Sequence, residues 1–357
     1  MKDILRVLAI NPGSTSTKIA VYDNENLLFE QVVRYSNEEL SPFDTIIDQY
    51  EFRKSGILQI LAEKDVPLES LDAVVGRGGL LKAIAGGTYA VNAAMLDALR
   101  LAERGEHASN LGGVIAKEIG DKLGIPSYIV DPVVVDELAD IARVSGLPGY
   151  DRRSIFHALN QKAVARRISK ELGKPYDQAN LIIAHMGGGI TVGVHQGGRV
   201  IDVNDALYGE GPFSPERVGS VPTGHMLELC FCGRYTQNEV KKLIAGKGGL
   251  VAYLGTNDGR EVVKRIEAGD GKAKLVYEAM AYQIAKEIAA DAAVLYGNVD
   301  AIVLTGGLAY DQMLVRLIAE RVRFIAEVKV VPGENEMIAL TEGALRVLKG
   351  EETAKEY

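Results

Sequence analysis

The chain has 357 residues, 40 Lys and Arg against 48 Asp and Glu, a net charge of −8, and 47% hydrophobic residues. That length allows two domains with sizeable cores, and an acidic balance with no Trp and no basic run disfavours nucleic acid as a partner. No stretch approaches the roughly 18 apolar residues of a membrane span, and Lys2, Asp3 and Arg6 interrupt any apolar leader, so a cytoplasmic protein without a membrane contact is expected. The two cysteines, Cys230 and Cys232, stand too close in sequence for a structural disulfide and read as reduced thiols.

The chain opens with three predicted strands, ending near Tyr35. The stretch Leu8–Val21, LAINPGSTSTKIAV, joins the first two through a polar loop. Leu5, Val7 and Ala9, then Ile19 and Val21, have the period of two of a strand. Pro12 and Gly13 force a tight turn that gathers backbone N–H groups into a concavity. Ser14, Thr15, Ser16 and Thr17 add short donors and Lys18 a mobile cation, which together suit a polyphosphate. The stretch is not a Walker A loop, since GxxxxGK[ST] is absent. Alone it would also suit an ordinary hairpin turn with solvated hydroxyls.

Ser41-Pro42 predicts a helix start, with the helix running to about Lys64. Leu71–Val75 reads as a strand ending in Gly76-Arg77-Gly78-Gly79, and Asn92 caps a helix to about Leu101. A polar loop, residues 104–110, precedes another helix. Pro126–Val130 is a strand ending at Asp131, with helices expected over Val133–Arg143 and Ser154–Leu172. Leu181–Val194, LIIAHMGGGITVGV, then repeats the opening layout half a chain later, and a repeat at that scale predicts a duplicated domain. Asn204–Pro222 is a long loop rich in Gly and Pro, of a length that is usually functional. Helices are expected over Thr223–Ala245, Asp258–Glu267 and Gly271–Leu295. A strand at Ala301–Leu304 runs into Thr305-Gly306-Gly307, and a helix, a strand at Ile325–Val331 and a last helix over Asn335–Leu348 follow. The order is βββαβαβα given twice, an α/β pattern.

Several of these segments carry a resemblance. NPGSTSTK, the Gly-rich hairpin after His185 and TGG at Thr305 resemble the three nucleotide loops of the fold shared by actin, Hsp70 and sugar kinases. AINPGSTSTK, GRGG, GEHASNLGG, VDPVVVDE, SIFHALNQ, IIAHMGGG, GPFSPERVGS, VAYLGTNDGRE, IVLTGGLA and PGENE, in one order over nearly the whole chain, are similar to the acetate and butyrate kinase family. The resemblance implies duplicated α/β domains of the actin/Hsp70/sugar-kinase type with an interdomain cleft. It places residues 1–135 and about 341–357 in the first domain and 136–340 in the second. It implies ATP or ADP and Mg²⁺, a short-chain fatty acid or its acyl phosphate, and a homodimer or larger assembly through the second domain. Acetate kinases carry an HRVVHGG-type strand end and an aromatic-rich acyl pocket; GRGG is shorter and no such pocket is evident, which moves the expected acid from acetate toward butyrate.

A carboxylate is ionised at pH 7 and needs no general base, so catalysis reduces to positioning and charge stabilisation. By resemblance Arg77 holds the carboxylate or acyl phosphate, and its planar fork suits that contact. Arg217 stabilises the transferring phosphoryl group and His157 donates to its oxygens. Asp131 is the acid near Mg²⁺ and Glu336 the Mg²⁺-linked Glu, with Glu334 still a candidate. Asn11, Ser14, Ser16 and Lys18 form the first phosphate loop and Gly187, Gly188 and Gly189 the second, with His185 either contacting ligand or orienting the turn. Asp258, Arg260, Gly306 and Gly307 lie on the nucleoside side. The alternatives are acetate, propionate or branched-chain acids, a sugar kinase using Asp131 as base, and a nucleotide-gated binding protein.

Overall fold

Two sheets organise the chain, and the strands that carry Gly-rich loops are buried on both faces. The computed structural model describes residues 2–357. One unit comprises the residues up to Val135 together with Asn335–Tyr357, and the other Asp136–Glu334. The return to the first unit falls at Asn335, at the head of the last helix rather than inside it.

In the first unit β1 (Arg6–Pro12), β2 (Ser16–Asp23), β3 (Asn26–Arg34), β4 (Ala73–Arg77), β5 (Thr88–Ala90) and β6 (Ser127–Val130) form one sheet in the order β3-β2-β1-β4-β6-β5. β1 is antiparallel to β2 and parallel to β4. Val7, Leu8, Ala9 and Ile10 are all fully buried, as a central strand covered on both faces must be. Leu8, Ile10, Ile19 and Val21 pack with Ile57 and Leu61 of the helix Tyr50–Glu63 and with Leu111 and Ile115 of the helix Asn110–Leu123. Each such side chain contributes about 1.5–3 kcal/mol. β3 is the edge, and its exposed Glu30 and Arg34 discourage further pairing.

The second unit repeats this order. β7 (Leu181–Met186), β8 (Ile190–Gln196), β9 (Arg199–Val203), β10 (Ala301–Gly306) and β11 (Val328–Pro332) run β11-β10-β7-β8-β9. β7 takes the place of β1, β8 of β2 and β10 of β4. Successive side chains of β7 go to opposite faces. Ile182, Ala184 and Met186 pack with the long helix Gly271–Val294, while Leu181 and Ile183 pack with Val164 and Ile168 of the helix Ala158–Glu171. The duplicated α/β layout expected from the two hairpins is therefore present. The stripe of the long helix from Ala273 to Ala292 lies in its own unit's core, so its apolar length gives no separate reason for association.

Several expected bounds move. The helix begun at Ser41-Pro42 is not there: Ser36 and Glu39 close a capping box on the short helix Asn37–Leu40, Ser41 ends it, and the next helix starts at Tyr50. Ser41 itself keeps helical dihedrals, φ −61° and ψ −25°, as the C-cap, and its N–H donates back to the Asn37 carbonyl at 2.8 Å. Val133–Arg143 is helical only over Asp140–Arg143. Val133 and Val134 form a turn that Val135 N–H closes on the Pro132 carbonyl at 3.0 Å, Val135 bridges Ile84, and Ile84 N–H donates to the Val134 carbonyl at 3.3 Å. Thr223–Ala245 is two helices, Thr223–Phe231 and Gln237–Ile244, with Gly233 in a left-handed conformation and a new capping box at Thr236 and Glu239. The helix after His157 starts at Ala158 rather than Ser154, and the three-residue β5 and the helix Gly249–Leu254 carried no readable sequence signal. No helix among the described residues is long and apolar enough to cross a membrane.

Asp291 is an exception in the apolar core of the second unit. It is 9% exposed, and its Oδ2 has no hydrogen-bond partner among the described residues. Burial, with the charges of Glu287 and Asp202, pushes its pKa well above the usual 3.8, while Arg152 pulls the other way. The folded carboxyl thus keeps its proton where the unfolded one has lost it, so unfolding releases a proton and rising pH destabilises. Asp291→Asn should therefore be more stable than wild type, with a gap that widens as pH rises above the ordinary carboxylate range, by at most about 1.4 kcal/mol per pH unit. Urea unfolding at several pH values checks this, and a gap that narrows as pH rises would refute it.

Candidate functional site

In the first unit the site is built at the ends of β1 and β4. Asn11 is the penultimate residue of β1 and Arg77 the last of β4. Glu336 stands in the first turn of the last helix and joins them. Its Oε2 accepts from Asn11 Nδ2 at 2.6 Å, and its Oε1 pairs with Arg77 Nη1 at 2.6 Å. The same guanidinium nitrogen lies 3.4 Å from Asn11 Oδ1. Arg77 can reach this position because its neighbours have no side chains. A Cβ on Gly76 would collide with the Gly112 carbonyl, and one on Gly79 with Asn110. Asn110 Oδ1 in turn accepts from Leu80 N–H at 2.8 Å, tying the GRGG turn to a helix start. His107 belongs to the same neighbourhood: desolvation and the Arg77 charge lower its pKa.

Asp131 lies deeper. It is 1% exposed, with φ of +38°, and its Oδ1 accepts from Gly87 N–H at 2.6 Å while its own N–H donates to the Gly87 carbonyl at 3.1 Å. Among the described residues no group of three or more His, Cys, Asp or Glu is arranged to hold a metal ion.

The first loop is organised from behind by a residue that sequence reasoning missed. Arg53, fully buried, donates to the carbonyls of Gly13 at 2.7 Å, Ser14 at 2.8 Å and Ser16 at 3.1 Å. It also holds Thr17 Oγ1 and Gln49 Oε1, and lies over the Tyr35 ring. Three loop oxygens are thereby tied to a buried cation. Oxygens so engaged are not offered to an anionic ligand. Lys18, expected at the phosphates, pairs with Glu30 across β2 and β3 at 3.4 Å.

In the second unit the Gly187–Gly189 turn is held by the long loop. Gly188 oxygen accepts from Ser214 Oγ at 2.6 Å and from Glu216 N–H at 3.2 Å, while Gly187 N–H donates to the Gly189 carbonyl at 3.0 Å. The Arg217 guanidinium packs on Gly189 so closely that a Cβ there would overlap it. Burial lowers the Arg217 pKa, against the pull of Glu216 and Asp205, yet an arginine stays charged. His157 precedes the helix Ala158–Glu171 and His185 is the penultimate residue of β7, and their rings stack with centroids 3.8 Å apart at 10°. His157 Nδ1 meets Thr191 Oγ1 at 2.9 Å and His185 Nδ1 meets Asn160 Oδ1 at 2.7 Å. Glu334 joins this group, with its Oε1 3.8 Å from His185 Nε2.

Gly306 ends β10 with φ of +88°, and a Cβ there would strike the Met186 backbone, so only glycine fits. Asp258 and Arg260 are joined to each other. Asp258 caps the helix Gly259–Glu267 and pairs with Arg260 at 2.8 Å, and that hydrogen bond first, then the cap, lowers its pKa to about 2. Of the residues that were missed, Asn160, Gln161, Ser214 and Glu216 lie inside segments that carried the resemblance, but nothing in their chemistry singled them out.

Two like-ordered sheets whose strand ends carry Gly-rich turns define the actin-like, sugar-kinase-like fold. The fold is similar to that of an acetate kinase from Porphyromonas gingivalis, with a TM-score of 0.77 at 22% identity over 96% of this chain and 99% of that one. It is similar to a propionate kinase from Francisella tularensis subsp. tularensis SCHU S4, with a TM-score of 0.72 at 19% identity over 95% and 98%. A ROK hexokinase from Thermus thermophilus aligns less closely, with a TM-score of 0.53 at 18% identity over 97% and 100%. Residues 150–342 match the model of the Acetokinase family, and the chain belongs to that family. It is a short-chain carboxylate kinase that uses ATP.

Proposed function

We propose that the acid is butyrate, converted with ATP to butyryl phosphate and ADP by direct in-line phosphoryl transfer. The observation that carries the reading is the Asn11–Arg77–Glu336 cluster, a forked cation held at a strand end by a carboxylate. An incoming carboxylate or acyl phosphate can replace that internal partner on the same fork. The acid arrives ionised and is already nucleophilic, so Asp131 is not needed as a base. Arg217, partly withdrawn from water, stabilises charge on the transferring group more strongly than an exposed arginine could. His157 donates to its oxygens.

Glu336 fits a Mg²⁺ site better than Asp131. Mg²⁺ takes few carboxylates and relies on phosphate oxygens and water, and Glu336 retains lone pairs beyond the two contacts it makes. Bound there, the ion would neutralise phosphate charge. Asp131 holds Gly87 and shapes the strand end. The free, exposed Cys230 and Cys232 support the cytoplasmic placement. A homodimer or larger assembly is part of the proposal, with light scattering as its check.

Two of the proteins with a similar fold are an acetate kinase and a propionate kinase. The chain-length choice rests on the short GRGG turn and the lack of an evident aromatic acyl pocket. Trapping the acyl phosphate with hydroxylamine, across acetate, propionate, butyrate, branched acids and a hexose, separates the readings. Butyrate should have the highest kcat/KM, by about 10-fold or more over acetate, since each methylene in an apolar pocket is worth at least that. A higher value for acetate or propionate would overturn the chain length.

A further inference from the structure

Thr191 is the residue from which the inference follows. Its fully buried hydroxyl has two neighbours, Gln161 Nε2 at 3.0 Å and His157 Nδ1 at 2.9 Å. The Gln161 amide is oriented by a third contact, from Nε2 to the Thr191 backbone carbonyl at 3.1 Å. A carbonyl can only accept, so Nε2 is the donor in both bonds. Gln161 Oε1 therefore faces His195 Nε2, at 3.1 Å, and that nitrogen must carry a hydrogen. In the neutral ring His195 Nδ1 then accepts from the Tyr176 hydroxyl at 2.8 Å.

The chain of donors runs on in the other direction. Thr191 Oγ1 already accepts from Gln161, and its own hydrogen has His157 Nδ1 as its acceptor. A buried hydroxyl hydrogen left unused is costly, so His157 Nδ1 is held as a lone pair and the ring proton sits on Nε2. The stacked partner is fixed the opposite way. Asn160 Nδ2 donates to the Glu334 carbonyl at 2.7 Å, so Asn160 Oδ1 accepts and His185 Nδ1 carries the hydrogen. Two neutral rings can stack at 3.8 Å, whereas two imidazolium ions would repel.

We infer that Gln161, backed by His195 and Tyr176, is a positioning residue that selects the Nε2–H form of His157 and so presents a donor to the transferring phosphoryl oxygens. The last step rests on the role proposed for His157 above; the choice of tautomer does not. No single element supplies this relay. Tyr176 precedes β7, His195 and Thr191 lie on β8, and Gln161 lies on the helix Ala158–Glu171.

The test is a long-range proton–nitrogen NMR spectrum of the full-length protein labelled at its five histidines, at about pH 8, where neutral rings are expected. The His157 signal is assigned by its loss in His157→Gln. Wild type should show a bare Nδ1 and a protonated Nε2 for His157, and the reverse for His185. Gln161→Glu keeps the shape but places an acceptor where Nε2 was. The Thr191 hydrogen should turn to it, and the His157 proton should move to Nδ1. In that variant kcat should fall about 10²-fold with little change in the acid's KM. A wild-type spectrum with His157 protonated at Nδ1 overturns the inference, whether or not the variant folds. So does a Gln161→Glu variant whose His157 is unchanged. A tautomer that moves while kcat stays at wild-type level leaves the relay standing and removes His157 from the proposed chemistry.

Discussion

Arg217→Ala is expected to lower kcat by about 10²–10³-fold, the size of losing one preorganised charge-stabilising donor. The guanidinium reaches the Gly187–Gly189 turn from the 204–222 loop and lies against Gly189. Partial burial leaves it poorly hydrated, so it needs little reorganisation when charge develops. Gly189→Ala should do comparable damage while keeping the arginine, because the added carbon takes the guanidinium's place. Arg77→Ala should differ in kind. In the role proposed for it, Arg77 grips the acid in ground and transition states alike, so KM for the acid should rise with a smaller change in kcat. Lysine at either position should rescue poorly, since a point charge cannot reproduce a forked contact. Steady-state kinetics with both substrates varied, together with nucleotide titration, is the measurement. Near-normal kinetics in Arg217→Ala and Arg77→Ala would make both arginines structural.

Arg53→Met should destabilise the first unit by about 1–3 kcal/mol for each acceptor left buried without a donor. Six hydrogen bonds disappear with the guanidinium. Methionine fills much of the space but takes the shared donor from the Gly13, Ser14 and Ser16 carbonyls, of which Ser16 keeps Gly13 N–H at 2.7 Å. Those oxygens would then turn toward water or ligand, and nucleotide affinity should fall by about 10-fold or more even in molecules that remain folded. Arg53→Lys should recover only part, because one ammonium cannot span three carbonyls, a hydroxyl and an amide. Urea unfolding followed by hydrogen exchange at Gly13–Lys18, and ATP titration below the unfolding midpoint, would test this. A methionine variant with wild-type stability and nucleotide affinity would show that the turn holds its own shape.

What the sequence determined here is what sequence-local physics controls. The two hairpins are legible because strand period, turn chemistry and burial lie within about twenty residues, and both sheets follow from them. GRGG and TGG are legible because close approach leaves glycine no substitute at Gly76 and Gly306. Local signals also mislead where they are weak. Ser41-Pro42 has the chemistry of a helix start, but the capping box at Ser36 had already used it. Val133–Val135 has an apolar pattern that suits a helix, but a turn closed on the Pro132 carbonyl and a bridge to Ile84 win.

The tertiary structure alone decided the partners. Glu336 is 325 residues from Asn11, and no spacing rule connects them. Arg53 looks like any charged residue in a helix until the loop carbonyls close around it. The proton position on His157 is set by a glutamine on its own helix, which is in turn set by β8. A side chain's type is written in the chain, but which of its atoms donates depends on what folding brings within about 3 Å of it.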